Sequence, residues 1–557
     1  MKDDHSPAKA LSGMMMSRPL MISEIIDYAA DTYPDIEIVS ATLEGTIHRY
    51  GYADARKRIV KLAHALATLG VKPGDRVATL AWNSYRHFEL YYAISGIGAV
   101  CHTINPRLFD DQLTYIANHA DDTYLFFDTT FAPIVERLHG AWPKGMSYVA
   151  LCDRERLPKI AGVPDLLCYE DLLVGMPDTI DWPQFDENSA ASLCYTSGTT
   201  GEPKGVLYSH RATMLHTLLA SVQGRDSFAP GSKLLPIVPL FHANAWGLPY
   251  IAPLNGVSLI FPGMKLDGAT LFELMDAEGV YSAWGVPTVH VGLIEEIRKR
   301  GRKPRGFGEI LTGGSAPGPL VETYERELDI RVVHGWGMTE MSPIGTMSRL
   351  TPRELALPLD RQIALKAMPG RRMFGVELKI VDEEGRALPH DGEAFGELFV
   401  RGNTIVKGYF NNEAATARAL DKDGWFGTGD VAKVRPDGIL MIVDRTKDLV
   451  KSGGEWISSI DVENMAARHP AVAQAAVIAM PHPKWNERPL MIVMRRPGQQ
   501  VTKDELVAYL GQHIAKWQLP DDVVFLESLP MTATGKISKL TLRKQFADYV
   551  LPTAKDA

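Results

Sequence analysis

A loop rich in glycine and hydroxyl side chains, residues 195–205, carries the strongest chemical signal in the sequence. It reads Tyr-Thr-Ser-Gly-Thr-Thr-Gly-Glu-Pro-Lys-Gly and lies between an apolar run and a predicted strand. Its glycines permit a backbone whose amides point inward, while its hydroxyls add donors and its lysine adds a mobile cation. Such a loop is suited to the β- and γ-phosphates of a nucleotide. The residues concerned are Thr196, Ser197, Gly198, Thr199, Thr200, Gly201, Lys204 and Gly205.

The residues around Lys204 argue against a Walker-type loop. That motif places Gly-Lys-Ser/Thr at the start of a helix, so that the lysine and a magnesium-binding hydroxyl are adjacent. Here Pro203 precedes the lysine and Gly205 follows it. A flexible linker is the alternative interpretation of the same Ser/Thr/Gly composition.

Two stretches in the middle of the chain could line a substrate pocket. Residues 239–246 read Pro-Leu-Phe-His-Ala-Asn-Ala-Trp, where His242 and Trp246 either pack in the core or form an aromatic slot. Residues 312–317 read Thr-Gly-Gly-Ser-Ala-Pro, close to the G-x-S-x-G elbow of α/β-hydrolases but ending in proline. We favour a tight turn at the end of a strand over a hydrolase elbow.

Two further stretches combine glycines with a carboxylate. Residues 334–340 read His-Gly-Trp-Gly-Met-Thr-Glu, so a flat base could lie against Trp336. Thr339 and Glu340 then place a hydroxyl and a carboxylate within reach of phosphate and metal. Residues 424–430 end in Asp430, which an ordinary turn would also use as a cap.

Two stretches near the end of the sequence combine charge with glycine. Residues 444–458 run from Asp-Arg-Thr-Lys-Asp into Gly453-Gly454 and then Trp456, a composition that also suits an interdomain linker. Residues 530–539 carry Lys536 on a glycine-containing turn, where a lysine is otherwise simply solvated.

In order and approximate spacing, these stretches resemble the signature motifs of the acyl-adenylate-forming superfamily. That superfamily includes acyl-CoA synthetases, luciferases and peptide-synthetase adenylation domains. The resemblance extends from about Ile22 to Phe546. The strings Gly-Gly-Glu-Trp-Ile-Ser and Asn-Ala-Trp are more similar to medium- and long-chain fatty acyl-CoA synthetases, including methylmercaptopropionate-CoA ligase-like members, than to acetyl-CoA synthetases or aryl ligases. The resemblance implies ATP, Mg²⁺ and coenzyme A as cofactors.

The resemblance also implies roles for individual residues. Lys536 would serve the adenylation step, with Lys204, Thr339 and Glu340 completing the catalytic set. Mg²⁺ would be bound by Thr196 and Glu340, and the hinge would be Lys447. The family usually has tyrosine where this chain has Trp336, a change that keeps stacking but removes a phenol. The nucleotide and CoA would be bound by Thr196, Ser197, Gly198, Thr199, Thr200, Gly201, Gly314, Ser315, Ala316, Trp336, Gly337, Met338, Asp430, Arg445, Gly453 and Gly454, and the acyl group by His242, Trp246, Gly313 and Trp456.

Length and composition limit the fold and the partners. The 557 residues exceed the ~250–300 at which a single core stops growing, so at least two domains are expected. A net charge of −8 gives no electrostatic reason to bind nucleic acid. Four widely separated cysteines without a CxxC motif indicate a reduced cytoplasmic protein. No apolar run approaches ~18 residues, so we expect at most peripheral membrane contact.

Alternating helix and strand patterns predict a layered α/β architecture with partly parallel sheets. The helical spacing of apolar residues from Ile59 to Leu69 predicts a helix that stops at Gly70. Short buried strands are predicted over 76–80, 100–104, 124–127 and 148–151. We expect a mobile tail over 1–21, a large adenylation domain over 22–446 and a small mobile α+β lid over 447–557. In the lid, helices are predicted over 462–468 and 503–514, and strands over 475–479 and 490–493.

A basic cluster, residues 298–305, contrasts with the acidic balance of the chain. It reads Arg-Lys-Arg-Gly-Arg-Lys-Pro-Arg and could meet the 3′-phosphate of CoA or an anionic surface. We favour a solvated loop, because Gly301 and Pro304 interrupt any continuous helical face. Residues 349–368 are interpreted as a surface excursion.

The sequence therefore predicts an ATP-dependent acyl-CoA ligase. The carboxylate would attack the α-phosphorus of ATP to give acyl-AMP and pyrophosphate, and the CoA thiol would then displace AMP. Medium-chain fatty acids are the expected substrates, with 3-methylmercaptopropionate or an aryl-alkanoate as alternatives, and a homodimer is possible.

Two rival functions remain at this point. One is an adenylating enzyme that passes an amino or aryl acid to a carrier protein, although residues 241–244 contain no clear amino-acid-binding aspartate. The other is a non-catalytic nucleotide-binding protein, which the joint retention of the five expected charged site residues argues against. Those residues are Lys204, Glu340, Asp430, Arg445 and Lys536.

Overall fold

A computed structural model describes residues 11, 13–196, 202–224, 227–313, 318–453, 455–532 and 536–555. Its strands, in chain order, are β1 (Glu37–Ala41), β2 (Ile47–Gly51), β3 (Arg76–Leu80), β4 (Val100–Thr103), β5 (Asp122–Phe127), β6 (Ser147–Ala150), β7 (Leu167–Cys168), β8 (Ala190–Thr196), β9 (Lys204–Ser209), β10 (Lys233–Pro236), β11 (Ser258–Phe261), β12 (Ser282–Gly285), β13 (Glu309–Gly313), β14 (Arg331–Gly337), β15 (Ile344–Met347), β16 (Gly370–Arg372), β17 (Val376–Val381), β18 (Phe395–Gly402), β19 (Phe426–Val434), β20 (Ile439–Arg445), β21 (Val450–Ser452), β22 (Glu455–Ile457), β23 (Val472–His482), β24 (Asn486–Arg495) and β25 (Asp522–Phe525).

The helical segments, in chain order, are α1 (Ser23–Thr32), α2 (Tyr52–Thr68), α3 (Tyr85–Gly96), α4 (Asp110–Ala120), α5 (Ala132–Leu138), α6 (Tyr169–Leu173), α7 (His210–Gly224), α8 (Ala243–Trp246), α9 (Leu248–Leu254), α10 (Gly268–Glu278), α11 (Pro287–Arg300), α12 (Gly318–Glu322), α13 (Pro352–Leu355), α14 (Leu359–Lys366), α15 (Glu413–Ala419), α16 (Ser459–Ala467), α17 (Lys503–Leu510), α18 (Lys539–Gln545) and α19 (Pro552–Lys555). Short 3-10 turns include Thr339–Met341.

Within the described residues, the strands form three sheets. A seven-stranded sheet has the order β7-β6-β5-β3-β4-β8-β9. Its neighbours are parallel up to β8, which forms an antiparallel hairpin with β9. Because the residues between β8 and β9 are those of the phosphate-binding motif, this sheet presents the predicted loop at the carboxyl end of a buried strand.

A thirteen-stranded sheet has the order β17-β18-β19-β20-β16-β15-β14-β13-β12-β10-β11-β1-β2. Its run from β1 to β14 by way of β11, β10, β12 and β13 is parallel. From β15 onward toward β17 the pairs are antiparallel. β13 and β14 therefore end side by side, at Gly313 and Gly337.

The smallest sheet follows residue 447 in the chain. It contains β22-β21-β24-β23, with β25 parallel to β24. Helix α16 and the long hairpin β23–β24 enclose an apolar core of their own, which includes Val462, Val477 and Met491. This α+β unit after a large α/β unit confirms the predicted fold class.

Several predicted elements coincide with observed ones. The strand predicted over 76–80 is β3, and those predicted near 100, 124 and 148 are β4, β5 and β6. The helix predicted over 503–514 ends earlier, at Leu510, where Gly511 interrupts it. Residues 349–368, interpreted as a surface excursion, carry the two short helices α13 and α14 with Leu355, Leu357 and Leu359 exposed.

The start of the described chain is exposed and then anchored. Met14, Met15 and Met16 are at least 90% exposed, whereas Met21 and Ile22 are buried. Among the described helices, the search found none that is long and apolar enough to cross a membrane. All four cysteines are buried and unpaired.

Candidate active site

The β8–β9 hairpin places the two ends of the phosphate-binding motif opposite each other. Thr196, the last residue of β8, is the register partner of Lys204, the first residue of β9. The Lys204 ammonium lies 4.9 Å from the centre of the Tyr409 ring, an arrangement in which the ring face stabilises the cation. Ser197, Gly198, Thr199, Thr200 and Gly201, which the motif assigns to phosphate binding, lie outside the described residues.

Glu340 is a buried carboxylate beside this hairpin. It lies in the 3-10 turn after β14, is 5% exposed and accepts a hydrogen bond of 2.8 Å from the Tyr409 hydroxyl. Burial raises the pKa of Glu340, while Tyr409, Arg445 and Lys204 act in the opposite direction. The carbonyl of the preceding residue, Thr339, accepts a 2.5 Å hydrogen bond from the Tyr208 hydroxyl on β9. Two tyrosines therefore connect the Thr339–Glu340 turn to the lysine of the phosphate motif.

The donor set near Glu340 is compatible with a Mg²⁺ ion bound together with phosphates. Mg²⁺ usually takes one or two carboxylates, waters and substrate phosphate oxygens rather than a cage made wholly of protein ligands. The described part of the chain contains no cluster of three or more histidine, cysteine or acidic side chains arranged for a metal. Glu340, whose pKa is raised by burial, is the carboxylate that a cation at this position would neutralise.

A second buried carboxylate, Asp430, joins the two halves of the predicted nucleotide site. One of its oxygens accepts a 2.9 Å hydrogen bond from the Trp336 indole, and the other lies 2.8 Å from the Arg445 guanidinium. Asp430 and Arg445 are register partners on β19 and β20. Because burial outweighs these partners, the pKa of Asp430 is raised.

Trp336, which the sequence assigns to base stacking, is 8% exposed, and its indole donates a hydrogen bond that a phenylalanine could not make. The stacking role stays a prediction. Gly337 follows Trp336 at the end of β14, where a Cβ atom would lie 1.9 Å from the Pro343 carbonyl oxygen, so only glycine fits. Met338 is half-buried beside it.

Lys536 lies close enough to Asp430 and Arg445 for their charges to act on its ammonium, although it belongs to the part of the chain that contains the smallest sheet. Its turn is closed by a 2.6 Å bond from the Thr532 amide to the Lys536 carbonyl and by a 3.1 Å bond from the Lys536 amide to the Thr532 hydroxyl. Lys536 is exposed to solvent. Surrounding protein and Arg445 lower the pKa of Lys536, whereas Asp430 raises it.

His242, a residue of the predicted acyl wall, lies within the electrostatic influence of Lys536. Burial and the Lys536 charge lower the pKa of His242 to about 4. A histidine with this pKa is neutral at pH 7, so it contributes no charge to the cleft. The charge of Lys536 thus acts on both Asp430 and His242, so these members of three predicted motifs lie near one another.

The predicted acyl wall is built on an unusual backbone. Four consecutive non-glycine residues, Ala243 to Trp246, have φ between 44° and 58°, so α8 is a single left-handed turn. The left-handed conformation costs roughly 1–2 kcal/mol per L-residue, and asparagine is the only residue type among these four that tolerates it well. The turn is therefore strained and must be held by its surroundings.

Trp246 projects from this turn onto Gly313. A Cβ atom on Gly313 would lie 3.1 Å from the indole Cη2 and 3.3 Å from Cζ2. A side chain at position 313 would therefore require the indole or the strand to move by a few tenths of an ångström. Gly314, Ser315 and Ala316, which were assigned to nucleotide binding, lie outside the described residues.

Gly453 and Trp456 lie on the β21–β22 hairpin. Gly453 has φ 60°, and a Cβ atom there would lie 2.7 Å from the Trp485 ring. A groove of about 530 Å³ opens beside it and is lined by Trp485, Trp517 and Lys484 among others. The described contacts of Trp456 are to Phe395, edge-on at 5.9 Å, and to the Lys451 ammonium at 4.9 Å. Gly454 is outside the described residues, and the assignment of Trp456 to the acyl group remains a prediction.

Lys447 lies between β20 of the largest sheet and β21 of the smallest. Asp444, three residues earlier, is buried and accepts 2.6 Å hydrogen bonds from both the amide and the hydroxyl of Ser459. Lys539 reaches the same serine and lies 2.7 Å from Glu463. The Asp444–Ser459 bonds cross the predicted hinge, whereas the contacts of Lys539 lie within the part of the chain that follows it.

The basic cluster is neutralised within its own part of the fold. Arg298 pairs with Glu327 at 2.7 Å, Arg300 with Glu296 at 2.6 Å and Arg302 with Asp276 at 2.6 Å. Lys303 donates to the Asp329 carbonyl at 2.8 Å. The contacts favour the solvated, structural interpretation over a CoA phosphate site.

Sequence reasoning missed Tyr409 and Tyr208, the two tyrosines that organise the Thr339–Glu340 turn. They lie 69 and 131 residues from their partners in the chain. Local spacing contains no signal for such contacts.

Comparison with known proteins places this geometry in a family. The chain matches the AMP-binding enzyme family over residues 26–410 and the AMP-binding enzyme C-terminal domain over residues 461–536. It is 46% identical to a 3-methylmercaptopropionyl-CoA ligase of Ruegeria lacuscaerulensis over 96% of this chain and 99% of that protein. It is 44% identical to a medium-chain-fatty-acid–CoA ligase of Ectopseudomonas oleovorans over 97% of this chain and 98% of that one.

A solved structure supports the same placement at the level of the fold. The crystal structure of an anthranilate CoA ligase in complex with anthranoyl-AMP superposes with a TM-score of 0.83 at 23% identity, covering 96% of this chain and 99% of that one. The motifs, the two-part α/β and α+β architecture and the matches over nearly the whole length agree. The chain therefore belongs to the AMP-binding enzyme family, as a member of its AMP-forming acid–CoA ligases.

Proposed function

We propose that this protein activates a medium-chain fatty acid with ATP and transfers the acyl group to coenzyme A. The observation that carries the proposal is the convergence of Lys536 with Asp430, Arg445 and His242. These residues come from four separate motifs. Asp430 and Arg445 form an ion pair of 2.8 Å, and the Lys536 charge acts on both Asp430 and His242. This convergence supports a cation between the proposed nucleotide site and the proposed acyl wall, where an acyl adenylate would form.

In the first half-reaction, the carboxylate attacks the α-phosphorus of ATP and pyrophosphate leaves. Negative charge develops on the phosphorus-bound oxygens, so cations aimed at them stabilise the transition state. Lys536 supplies that charge at the α-phosphate, and Lys204, fixed over Tyr409, faces the departing pyrophosphate. Asp430, held by Trp336 and Arg445, binds the ribose hydroxyls and thereby orients the α-phosphate toward the acid.

Glu340 and Thr196 would hold Mg²⁺, which supplies positive charge to the phosphate oxygens when bound. The protein's own residues contribute the charges of Lys536 and Lys204 and the positioning of the two substrates. His242 is neutral at physiological pH and serves as a wall of the acid site rather than as a base, because its pKa is lowered to about 4.

In the second half-reaction, the CoA thiol attacks the acyl carbon and AMP leaves. We propose that CoA approaches along the groove beside Gly453, where Trp485 and Trp517 offer aromatic faces. A side chain at position 453 would collide with the Trp485 ring, so the glycine keeps this path narrow but open. Rotation of the small unit about Lys447 would exchange Lys536 for the Gly453 region at the acyl adenylate.

The acid is proposed to be apolar and unbranched. Trp246 against Gly313 gives a flat, close wall, which suits a linear chain better than a bulky ring system. A second candidate is 3-methylmercaptopropionate, a short linear thioether. The relative of that specificity is 46% identical, and the medium-chain relative is 44% identical, so the two relatives support both acids about equally.

A pyrophosphate-release screen tests the proposal. The purified protein is given ATP, Mg²⁺, CoA and single acids from C2 to C18, together with 3-methylmercaptopropionate and aryl-alkanoates. We expect AMP and acyl-CoA in equal amounts, with the highest kcat/KM for C6–C10 acids. Formation of ADP and orthophosphate would contradict the mechanism, and a maximum at the thioether acid would select the second candidate.

A further inference from the structure

The left-handed turn α8 needs interactions that stabilise its conformation, and the predicted roles of His242 and Trp246 do not supply them. Ala243, Ala245 and Trp246 do not favour positive φ, so their own conformational preferences oppose the turn. The backbone hydrogen bonds recorded for the turn run from the Ala245 amide to the His242 carbonyl and from the Gly247 amide to the Asn244 and Ala245 carbonyls. These short-range bonds do not fasten the turn to its surroundings, so side chains must do so.

Asn244 is the side chain that supplies it. It is 4% exposed, and its amide donates a 2.9 Å hydrogen bond to the Ser192 hydroxyl. Its carbonyl oxygen lies 3.3 Å from the Tyr91 hydroxyl and 3.3 Å from the Cys194 sulfur. The backbone amides of Ala243 and Asn244 also face that sulfur. Each polar group of the asparagine side chain is therefore engaged.

The partners of Asn244 lie on the strand that leads into the phosphate motif. Ser192, Cys194 and Thr196 alternate along β8, and alternate residues of a strand project from the same face. The turn that carries His242 and Trp246 is thus fixed to the strand whose next residue on that face is Thr196. The hydrogen bond from Asn244 to Ser192 therefore couples the position of the predicted acyl wall to that of β8, which ends at Thr196.

We propose that Asn244 is a positioning residue that sets the register between the bound acid and the α-phosphate of ATP. The inference rests on the proposed function and deepens it. Without the hydrogen bond from the Asn244 amide to Ser192, the turn relaxes toward right-handed conformations and Trp246 moves away from Gly313. The carboxylate of the acid is then no longer aligned for attack on the α-phosphorus of ATP. Misplacement of a reacting group by about 1 Å is enough to lower a rate about 10²-fold.

The two half-reactions separate this role from a merely structural one. Acyl-AMP already contains the acid and the phosphate in one molecule, so its reaction with CoA does not need the register. We expect Asn244→Ala to lower acyl-AMP formation about 10²-fold, with KM for ATP unchanged, while the reaction of supplied acyl-AMP with CoA stays within about threefold of wild type. The preference between acids that differ by two carbons should also fall about tenfold.

Ser192→Ala removes the acceptor of the hydrogen bond from the Asn244 amide without touching the turn, so it should show the same pattern more weakly. It also carries the test if Asn244→Ala does not fold. Asn255→Ala is the matched control: that side chain also makes two hydrogen bonds, of 2.7 Å to Ser221 and 2.7 Å to Ile251, but lies at the end of α9. We expect the control to leave both half-reactions and the acid preference unchanged.

The outcomes are distinct. Equal loss of both half-reactions in Asn244→Ala and Ser192→Ala, or no loss in either, overturns the positioning role. Wild-type protein that forms no acyl-CoA from any acid in the screen instead overturns the proposed function.

Discussion

Gly313→Ala tests whether the contact between Gly313 and Trp246 bounds the path of the acyl chain. Gly313 ends β13 with ordinary strand geometry, so alanine adds no backbone strain there. The new methyl group would lie 3.1 Å from Cη2 and 3.3 Å from Cζ2 of the Trp246 indole. Carbon atoms in good contact are about 3.5–4.0 Å apart, so the ring or the strand must move by several tenths of an ångström.

The size of the effect follows from how little the ring can move. Trp246 belongs to the left-handed turn that Asn244 holds, so the ring cannot slide away freely. Overpacking of this kind typically costs about 1–3 kcal/mol. At 1.36 kcal/mol per tenfold, this predicts a loss of about 5- to 150-fold in kcat/KM for acids whose chain passes the ring. Acids too short to reach it should lose less.

The assay is kcat/KM for a series of saturated acids from C2 to C12, with KM for ATP measured in parallel. Gly140→Ala is the control, because a Cβ atom there meets nothing within 4 Å. We expect the control to match the wild type and Gly313→Ala to shift the optimum toward shorter acids. An unchanged chain-length profile would refute the reasoning, and a raised KM for ATP with an unchanged profile would assign Gly313 to the adenine side.

Three further predictions concern the charges and the nucleotide. Lys536→Ala should lower acyl-AMP formation roughly 10²–10³-fold. It should largely spare the reaction of supplied acyl-AMP with CoA and leave the acid preference unchanged. Stopped assays of each half-reaction measure the two rates, and equal losses in both would contradict the role of Lys536 in adenylation. Asp430 raises and Arg445 lowers the pKa of Lys536, and adenylation should be lost as the pH rises through that pKa. Asp430→Asn should therefore move the alkaline limb of the pH–rate profile to lower pH, and Arg445→Gln should move it to higher pH. Shifts of both variants in the same direction would show that another group titrates. Trp336→Phe removes the indole hydrogen bond of 2.9 Å to Asp430. Because hydrogen bonds to charged groups contribute about 1.5–3 kcal/mol, the affinity for AMP measured by calorimetry should fall about tenfold or more. An unchanged affinity would show that ring stacking alone accounts for the contribution of Trp336 to AMP binding.

The sequence predicted the elements whose cause is local. Strand β3 follows from a short buried apolar run, and helix α2 from apolar periodicity with the stop at Gly70. The convergence of Lys204, Glu340, Asp430, Arg445 and Lys536 could be anticipated only through the resemblance, because residues so distant in the chain meet only in the folded structure.

Other features have causes that no local pattern contains. Nothing in Phe-His-Ala-Asn-Ala-Trp predicts four left-handed residues, since alanine and tryptophan rarely adopt positive φ and the restraint comes from Ser192 on another sheet. The neutralisation of the basic cluster likewise depends on Asp276 and Glu327, each more than twenty residues away. Long-range partners of this kind are set by topology.

The bonds between Asp444 and Ser459 have a consequence for the energetics of each turnover. Under the proposed rotation about residue 447, the buried Asp444 side chain would lose both bonds from Ser459 and keep the 2.7 Å bond that its other oxygen accepts from the Arg445 amide. Because lost hydrogen bonds to a buried carboxylate are costly, the proposed rotation requires water or a new donor to reach the freed oxygen. The solvation of this one side chain would then contribute to the barrier between the two chemical steps.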